Sequence, residues 1–349
     1  MGRKRATAIV LAGVLLVVGC RPGSESTPTV TANPRRIVSM APSLTETLFA
    51  LGLGERVVGR TRFCSHPPEV REVPEVGGYL DPNYEAVVAL RPDLVVLIQS
   101  SGEADRRMQS LGIPVLLVDQ HDVAGVLESV TVLAEACGVP ERGVALRATL
   151  EERLAAVARA VAGFPRPRVV MVVGHEIGGG AVRSVWAAGP DTFYHDVLGI
   201  AGGVNAVESG VVRYPEVSRE GLVALDPDVV LDLVAGLDER GLDAEAVRDD
   251  WRGLSELRAV RESRVRVLEG DFMVVPGPRL PELVEAVARA LHPGLARISH
   301  QLPAAAGDAS HPVSSTSPRP SGRKRHCARH LATLATESGE IFGLAVEEG

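Results

Sequence analysis

The feature of this sequence that most constrains its fold is a stretch that occurs nearly twice. Residues 83–97 read NYEAVVALRPDLVVL, and residues 218–232, which begin 135 positions later, read SREGLVALDPDVVLD. In each copy a glutamate precedes a Pro-Asp pair by seven positions, and a run of valine and leucine follows. Proline disfavours helix in the residue before it, so each copy predicts a short helix and then a buried strand. A spacing of this size is that of a domain, which predicts two lobes of similar structure.

The same alternation of strand and helix extends over most of the chain. Short apolar runs bounded by glycine and proline alternate with stretches of helical periodicity. Strands that are apolar on both faces are typical of parallel sheets covered by helices. The predicted fold class is therefore α/β, with two lobes whose sheets are mainly parallel. The clearest strands are expected at residues 35–40, 56–61, 93–98, 113–119, 168–174 and 264–270.

One long helix is predicted between the lobes. Residues 141–162, ERGVALRATLEERLAAVARAVA, consist mostly of strong helix formers and would span about 33 Å as a helix. The chain then divides into a first α/β lobe at 34–121, a linking helical segment at 122–165 and a second lobe at 166–299. Residues 300–349 begin with a stretch rich in proline, serine, alanine and glycine, which predicts a disordered tail.

The segment APSLTETLFALGLG predicts the first helix of the first lobe. Ser43 and Glu46 have the spacing of a capping box, in which each side chain binds a backbone N–H of the first turn. Leu44, Leu48 and Leu51 form an apolar face at helical spacing.

The N-terminus has the pattern of an export signal. Arg3, Lys4 and Arg5 precede a mostly apolar run that is too short to span a bilayer. Because Cys20 directly follows a glycine, residues 1–19 resemble a bacterial lipoprotein signal, which implies that Cys20 is lipidated. Residues 20–33 would then form a polar tether from the membrane. The alternative is an ordinary signal peptide with a chance cysteine.

Composition excludes some classes of protein. The net charge of −7 disfavours a nucleic-acid-binding protein. The remaining cysteines, Cys64, Cys137 and Cys327, are odd in number and do not form a complete disulfide framework. Buried free thiols are the expectation for Cys64 and Cys137, although a bond between them stays open.

Four segments, in order, resemble the ABC-importer binding proteins for vitamin B12, iron-siderophores and haem. They read RRIVSMAPSLTETLFALGLGERVVG, PPEVREVPEVGGYLDPNYEAVVALRPDLVV, YPEVSREGLVALDPDVV and GPRLPELVEAVA. The resemblance covers about residues 34–292 and is closest to the cobalamin-binding members. It implies the class III periplasmic binding protein fold, in which two similar α/β lobes are joined by a single long backbone helix.

The resemblance also implies a cellular role. Such a protein is a lipid-anchored monomer of the cell envelope that delivers a small molecule to an ABC permease and its ATPase subunits. In the B12-binding members one surface glutamate on each lobe docks on the permease, and Glu85 and Glu220 match those positions. The alternative is that both are ordinary first-turn glutamates favoured by the helix dipole. No resident cofactor and no catalytic residue is implied.

The ligand is expected in the cleft between the lobes, and it would be cobalamin or another metal chelate. Aromatic residues make up only 3% of the chain, so each one that falls in a predicted cleft loop is informative. By the resemblance, Phe63 and Tyr79 line the cleft on the first lobe, and Trp186 and Tyr214 line it on the second. Arg279, in the GPRL segment, is a further ligand-binding candidate.

Two alternatives to a corrinoid ligand remain open. The first keeps the fold and exchanges the ligand for a ferric siderophore or haem, which arginines near the predicted cleft loops would favour. These arginines are Arg60, Arg62, Arg183 and Arg213. The second is a cell-envelope enzyme, but no nucleophile with a base and an orienting group is visible. His66 and His175 are weak metal-ligand candidates, of which His175 is better placed, and solvated or hydrogen-bonded histidines are the simpler interpretation.

Overall fold

The computed structural model describes residues 33–99, 103–208, 210, 212–237, 242–296 and 298. The predicted leader, Cys20, Cys327 and the predicted tail from residue 300 lie outside these residues. No helix of the described part is both long and apolar enough to cross a membrane.

The first lobe is built on a sheet of four parallel strands in the order β2-β1-β3-β4. All three residues of β1 are buried, as expected for a central strand with helices on both faces. The helices and strands of this lobe are β1 (Ile37–Ser39), α1 (Pro42–Ala50), β2 (Val57–Arg60), α2 (Tyr84–Ala89), β3 (Leu94–Ile98), α3 (Glu103–Ser110) and β4 (Val115–Val118).

The segment between the lobes contains a shorter helix, α4 (Val123–Ala136), and the long helix α5 (Pro140–Val161). The long helix was predicted within one residue at each end, because a proline at its first position and a uniform run of helix formers mark it locally. Its buried face includes Leu150, Leu154 and Val157.

The second lobe has a mixed sheet in the order β10-β9-β5-β6-β8, with β7 beside β5. Strands β10, β9 and β5 are parallel, but β6 runs antiparallel to both β5 and β8. The helices and strands of this lobe are β5 (Arg168–Gly174), β6 (Ser184–Ala187), α6 (Phe193–Ile200), β7 (Val204–Asn205), β8 (Glu216–Ser218), α7 (Arg219–Leu225), β9 (Val229–Val234), α8 (Ala244–Arg252), α9 (Arg258–Arg261), β10 (Val265–Glu269) and α10 (Leu280–Leu291).

One hydrophobic core runs through both lobes, and each lobe has a further buried cluster of its own. The shared core includes Leu48 of α1, Leu154 of α5, Met171 of β5 and Val287 of α10, all buried. Because α5 contributes to the packing of both lobes, a large rotation of one lobe against the other would expose part of this core to water. The predicted arrangement of two α/β lobes joined by one long helix is confirmed.

The repeated stretch has the same local structure in both lobes. Helix α2 begins after Asn83, whose side chain accepts a hydrogen bond from the backbone N–H three residues later. Helix α7 begins in the same way after Ser218. Both helices end before a residue with positive φ, Arg91 at 46° and Asp226 at 38°, which precedes the Pro-Asp pair.

The aspartate of each Pro-Asp pair attaches its strand to a neighbouring one. Asp93 accepts hydrogen bonds from the backbone N–H groups of Arg35 and Arg36, each at 2.8 Å, just before β1. Asp228 accepts one from the N–H of Arg168 at 2.8 Å, at the start of β5. The repeated sequence therefore encodes a repeated junction between two strands and a helix.

The predicted capping box at the start of α1 is wrong. The helix begins at Pro42 after Ala41, and no side chain caps it. The hydroxyl of Ser43 instead donates to Oε1 of Gln120 at 2.6 Å, and Glu46 points towards the second lobe. These partners are distant in sequence, so the local spacing gave no indication of them.

Cys64 and Cys137 are buried free thiols, as expected. The sulfur of Cys64 lies 3.1 Å from the hydroxyl of Thr45 and 3.2 Å from that of Thr61. Burial raises the pKa of both thiols, to about 11 for Cys137, so both are held in the unreactive thiol form.

Candidate functional site

The two lobes meet at a cluster of charged side chains, Glu46, Arg279 and Asp271. Glu46 lies in α1 with its side chain only 3% exposed, and Arg279 directly precedes α10. The Nε of Arg279 donates to Oε2 of Glu46 at 2.9 Å, and its Nη2 donates to the other carboxylate oxygen. Its Nη1 donates to Oδ1 of Asp271 at 2.7 Å. Charge-assisted hydrogen bonds therefore connect the first lobe to the second.

Further contacts close the lobes around this cluster. The hydroxyl of Ser65, in the first lobe, donates to Oδ2 of Asp271 at 3.3 Å. A Cβ added at Gly277 would lie 3.2 Å from the Cα of Ser43, so the absence of a side chain at this position allows the two backbones to approach.

The pKa values in the cluster reflect its burial and its charges. Burial raises the pKa of Glu46 above its usual value, and Arg279 only partly offsets this. Burial would also raise the pKa of Asp271, but the hydrogen bond and positive charge of Arg279 outweigh it and lower that pKa. Burial alone would lower the pKa of Arg279, yet its two carboxylate partners raise it, so the guanidinium stays charged.

Arg279 was predicted to bind the ligand, and in this structure its guanidinium is directed at the two carboxylates. The contacts with Glu46 and Asp271 use four of its five N–H donors. It also lies over the ring of Phe272, 5.8 Å from the centroid. Little of the guanidinium is left for another anion.

Three of the arginines near the predicted cleft loops are also paired. Arg62 binds the carboxylate of Asp81, and Arg213 binds Asp191 at 2.9 Å. The buried guanidinium of Arg60 donates to the carbonyl of Val70 at 2.9 Å and pairs with a glutamate at 3.1 Å. Arg183, the fourth, is exposed.

Phe63 and Tyr79, the predicted aromatic pair of the first lobe, are both half-buried and both lie outside regular elements. The guanidinium of Arg62 lies 5.2 Å from the centroid of the Phe63 ring. The hydroxyl of Tyr79 donates to the carbonyl of Ile98 at 3.3 Å, at the end of β3. Tyr79 also lines a cavity of about 140 Å³ whose other lining residues include Leu80, Tyr84, Leu97, Ile98 and Glu103.

Trp186 and Tyr214, the predicted pair of the second lobe, differ in their settings. The prediction that all four aromatic residues lie in loops is wrong for Trp186, which is in β6. Both side chains are partly buried against the core that runs through the two lobes. Tyr214 packs edge-on against the buried ring of Tyr194, with centroids 6.4 Å apart, and burial raises the pKa of its hydroxyl.

His175 lies at the end of β5, where its ring is enclosed by hydrogen-bond acceptors. Its Nδ1 donates to the carbonyl of Glu176 at 3.0 Å, and its Nε2 donates to Oδ2 of Asp232 at 2.8 Å. Trp251 Nε1 donates to the same oxygen at 2.7 Å. The side chain of His175 is 1% exposed, so neither ring nitrogen is presented to a metal in the cleft.

The other histidine candidate, His66, is half-buried and lies close enough to Glu46 for its charge to lower the pKa of that carboxyl. Across the residues that the structure describes, no group of three or more histidine, cysteine, aspartate or glutamate side chains is arranged to hold a metal ion.

Glu85 and Glu220 occupy equivalent places on the two lobes. Each is the second residue after the capping residue of its helix, and each is exposed. The pKa of Glu220 is lowered by a backbone N–H and by Ser218, whose hydroxyl donates to Oε2 of Glu220 at 3.0 Å. Both carboxylates are therefore accessible to an external partner.

The sequence analysis missed the role of Glu46 and Asp271. One local signal was available, because Glu46 is the only charged residue between Pro42 and Leu53, within a segment that is otherwise uncharged. A single charge in the buried helix of a lobe requires a compensating partner, but nothing in the sequence identified Arg279 as that partner.

Comparison with known proteins agrees with this architecture. The sequence pattern of the family described as Periplasmic binding protein matches residues 37–271. The chain is 31% identical over 280 residues to the uncharacterized ABC transporter substrate-binding lipoprotein YvrC of Bacillus subtilis, an alignment that covers 77% of this chain and 84% of that protein. It is 31% identical over 279 residues to a cobalamin-binding protein of Halobacterium salinarum, covering 77% and 72% of the two chains.

Solved structures share the fold. The periplasmic heme-binding protein BhuT, in a complex with two hemes, superimposes with a TM-score of 0.65 at 32% identity and covers 76% of this chain and 100% of its own. These relatives are binding proteins rather than enzymes. The chain therefore belongs to the periplasmic binding protein family, as a substrate-binding protein of an ABC transporter.

Proposed function

We propose that this protein is a lipid-anchored binding protein that captures a corrinoid between its lobes and delivers it to an ABC importer. Relatives that are named for binding cobalamin or vitamin B12, each 31% identical to this chain, support a corrinoid ligand. A haem-binding structure of similar identity supports haem as the second candidate. The anchor would be Cys20, which lies outside the described residues.

The observation that carries the delivery function is the equivalence of Glu85 and Glu220. Both carboxylates are exposed at the same position of a repeated helix, one on each lobe. A permease with two-fold symmetry would meet the same group twice. Carboxylate–arginine pairs are often bidentate and fix orientation, so two such points would define how the protein sits on its transporter.

The charge of the cleft favours a corrinoid over an anionic chelate. Arg62, Arg213 and Arg279 are each paired with a carboxylate of the protein itself. Haem carries two carboxylates, and many ferric siderophores are also anionic, so arginines already paired with carboxylates attract these ligands less strongly than unpaired ones would. The half-buried ring of Phe63 and the partly buried ring of Trp186 would supply apolar surface for the face of a macrocycle.

The docking assignment is tested by a double substitution, Glu85→Ala with Glu220→Ala. We expect uptake by cells that carry the cognate permease to be lost while ligand affinity stays unchanged, because both side chains are on the surface. The matched control is Glu141→Ala with Glu152→Ala, which removes two exposed charges from α5. Equal loss of ligand binding in the docking variant, or equal loss of uptake in the control, would contradict the assignment.

The ligand is tested by calorimetric titration of the purified protein with cyanocobalamin, cobinamide, a ferric hydroxamate and haem. Tight binding of the corrinoids at one ligand per chain is the expected result. Tight binding of an iron ligand instead would keep the transport function and replace the cargo.

A further inference from the structure

The cluster of Glu46, Arg279 and Asp271 has more negative than positive charge. One guanidinium faces two carboxylates, which leaves a net charge of −1 where the lobes meet. An anion entering this part of the cleft must approach that charge or displace one of the carboxylates from Arg279. A ligand without net negative charge is not repelled in this way.

The two carboxylates differ in how easily they can be displaced. Glu46 is 3% exposed and makes a bidentate contact, so removing its partner would leave a buried, uncompensated carboxylate. Asp271 is 53% exposed and contacts Arg279 mainly through Nη1. Asp271 therefore covers the side of the guanidinium that faces solvent, and Glu46 covers the buried side.

We infer that Glu46 and Asp271 are specificity determinants, which keep Arg279 unavailable to anionic ligands and make the cleft select neutral or cationic chelates. The inference rests on the proposed function and names the charge class of its cargo. Arg62 and Arg213 are also paired, each with one carboxylate, from Asp81 and Asp191 respectively. Arg279 is distinctive because its two partners come from different lobes, so its guanidinium lies where the lobes meet.

The test is Asp271→Asn, which preserves the shape of the side chain and removes the charge that covers Arg279. Haem, with two carboxylates, and cyanocobalamin, which has no net charge, are titrated into the full-length protein at low and high salt. We expect haem affinity to rise roughly tenfold or more at low salt, and the gain to shrink at high salt because ions screen the interaction. Cyanocobalamin affinity should not change.

Two further variants make the result specific. Glu46→Gln removes the buried carboxylate and should also raise haem affinity if the variant folds, as judged by its melting curve. If it does not fold, Asp271→Asn alone decides the test. The matched control is Glu152→Gln, which changes the net charge of the protein by the same amount at an exposed ion pair on α5. It should leave haem affinity unchanged.

The outcomes separate this inference from the proposed function. If the wild-type protein binds cyanocobalamin and Asp271→Asn gains no affinity for haem, the charge selectivity is refuted and the proposed function stands. An equal gain in Glu152→Gln refutes it as well, because the effect would then come from overall charge. If the wild-type protein binds haem more tightly than cyanocobalamin, the corrinoid proposal and the selectivity both fail.

Discussion

The buried pair of His175 and Asp232 should make the stability of the protein depend on pH. Both ring nitrogens of His175 donate to acceptors, one to a backbone carbonyl and one to Asp232 at 2.8 Å, so the structure satisfies the imidazolium form of the ring. Burial opposes the charge, but the hydrogen bond and the negative charge of Asp232 outweigh it and raise the pKa of His175 above 6.5.

The sign and size of the effect follow from this direction. Because the folded state raises the pKa of His175, the protonated ring stabilises the folded protein. This stabilisation is complete at pH values below the unfolded pKa of 6.5, and it is lost as pH rises through the folded pKa. In that window one proton is bound by the folded state and not by the unfolded state. The free energy of unfolding should therefore fall by up to about 1.4 kcal/mol per pH unit.

The assay is urea denaturation at a series of pH values from about 5.5 to about 8.5, the range in which histidines titrate. A second histidine would add to the measured pH dependence, because the hydrogen bond of His121 to Asp119 raises the pKa of His121 as well. The contribution of His121 must therefore be eliminated by substitution. We therefore compare His121→Gln with the double variant His121→Gln/Asp232→Asn.

In the double variant residue 232 carries no charge, so the folded protein loses the carboxylate that raises the pKa of His175 and holds the extra proton less strongly. Its stability should change less with pH than that of His121→Gln. Equal slopes for the two proteins would refute the assignment of the proton to this pair.

Three other predictions concern single side chains. Trp186→Ala should weaken ligand binding by roughly 1–3 kcal/mol if its ring contacts the ligand, and an unchanged affinity in calorimetry would assign the ring to packing alone. Asp93→Ala and Asp228→Ala should each lower the free energy of unfolding by about 1–3 kcal/mol in urea, because backbone N–H groups lose their acceptor. Arg279→Met should lower the free energy of unfolding more at pH 8 than at pH 5. Burial already raises the pKa of Glu46, and without Arg279 that pKa must rise further, so the variant is least stable where Glu46 has to be charged. An equal loss of stability at both pH values would show that Glu46 does not depend on Arg279.

Much of the fold could be predicted from the sequence because its signals are local. Residues 168–174 form an uninterrupted apolar run with one basic residue at its start, and β5 has these bounds. Helix α5 is marked by composition over 22 residues. The antiparallel strand β6 was not predicted, because its four residues follow a glycine-rich loop and are too few to show a period.

The candidate site was harder to predict because its contacts join distant parts of the chain. Glu46 and Arg279 are 233 residues apart, and the spacing of Ser43 and Glu46 matched a capping box by chance. Arg279 was placed in the cleft by resemblance, but its partners depend on how the lobes meet. Only the three-dimensional structure could show that a carboxylate from the first lobe neutralises it.

The two halves of the repeat agree on the outer face of the protein and differ in the cleft. Strands β1 and β5 are both attached at their start by the aspartate of a Pro-Asp pair, so they are equivalent positions in the two lobes. Beyond its carboxyl end β1 leads to Glu46, which reaches across to the second lobe, whereas β5 ends at His175, which turns inward to Asp232. The repeated stretch therefore explains why Glu85 and Glu220 occupy equivalent positions on the two lobes. The charged cluster of Glu46, Arg279 and Asp271 lies outside the repeated stretch. Ligand choice and docking should for this reason respond to different substitutions, and a variant at Asp271 that alters the ligand should leave delivery to the permease intact.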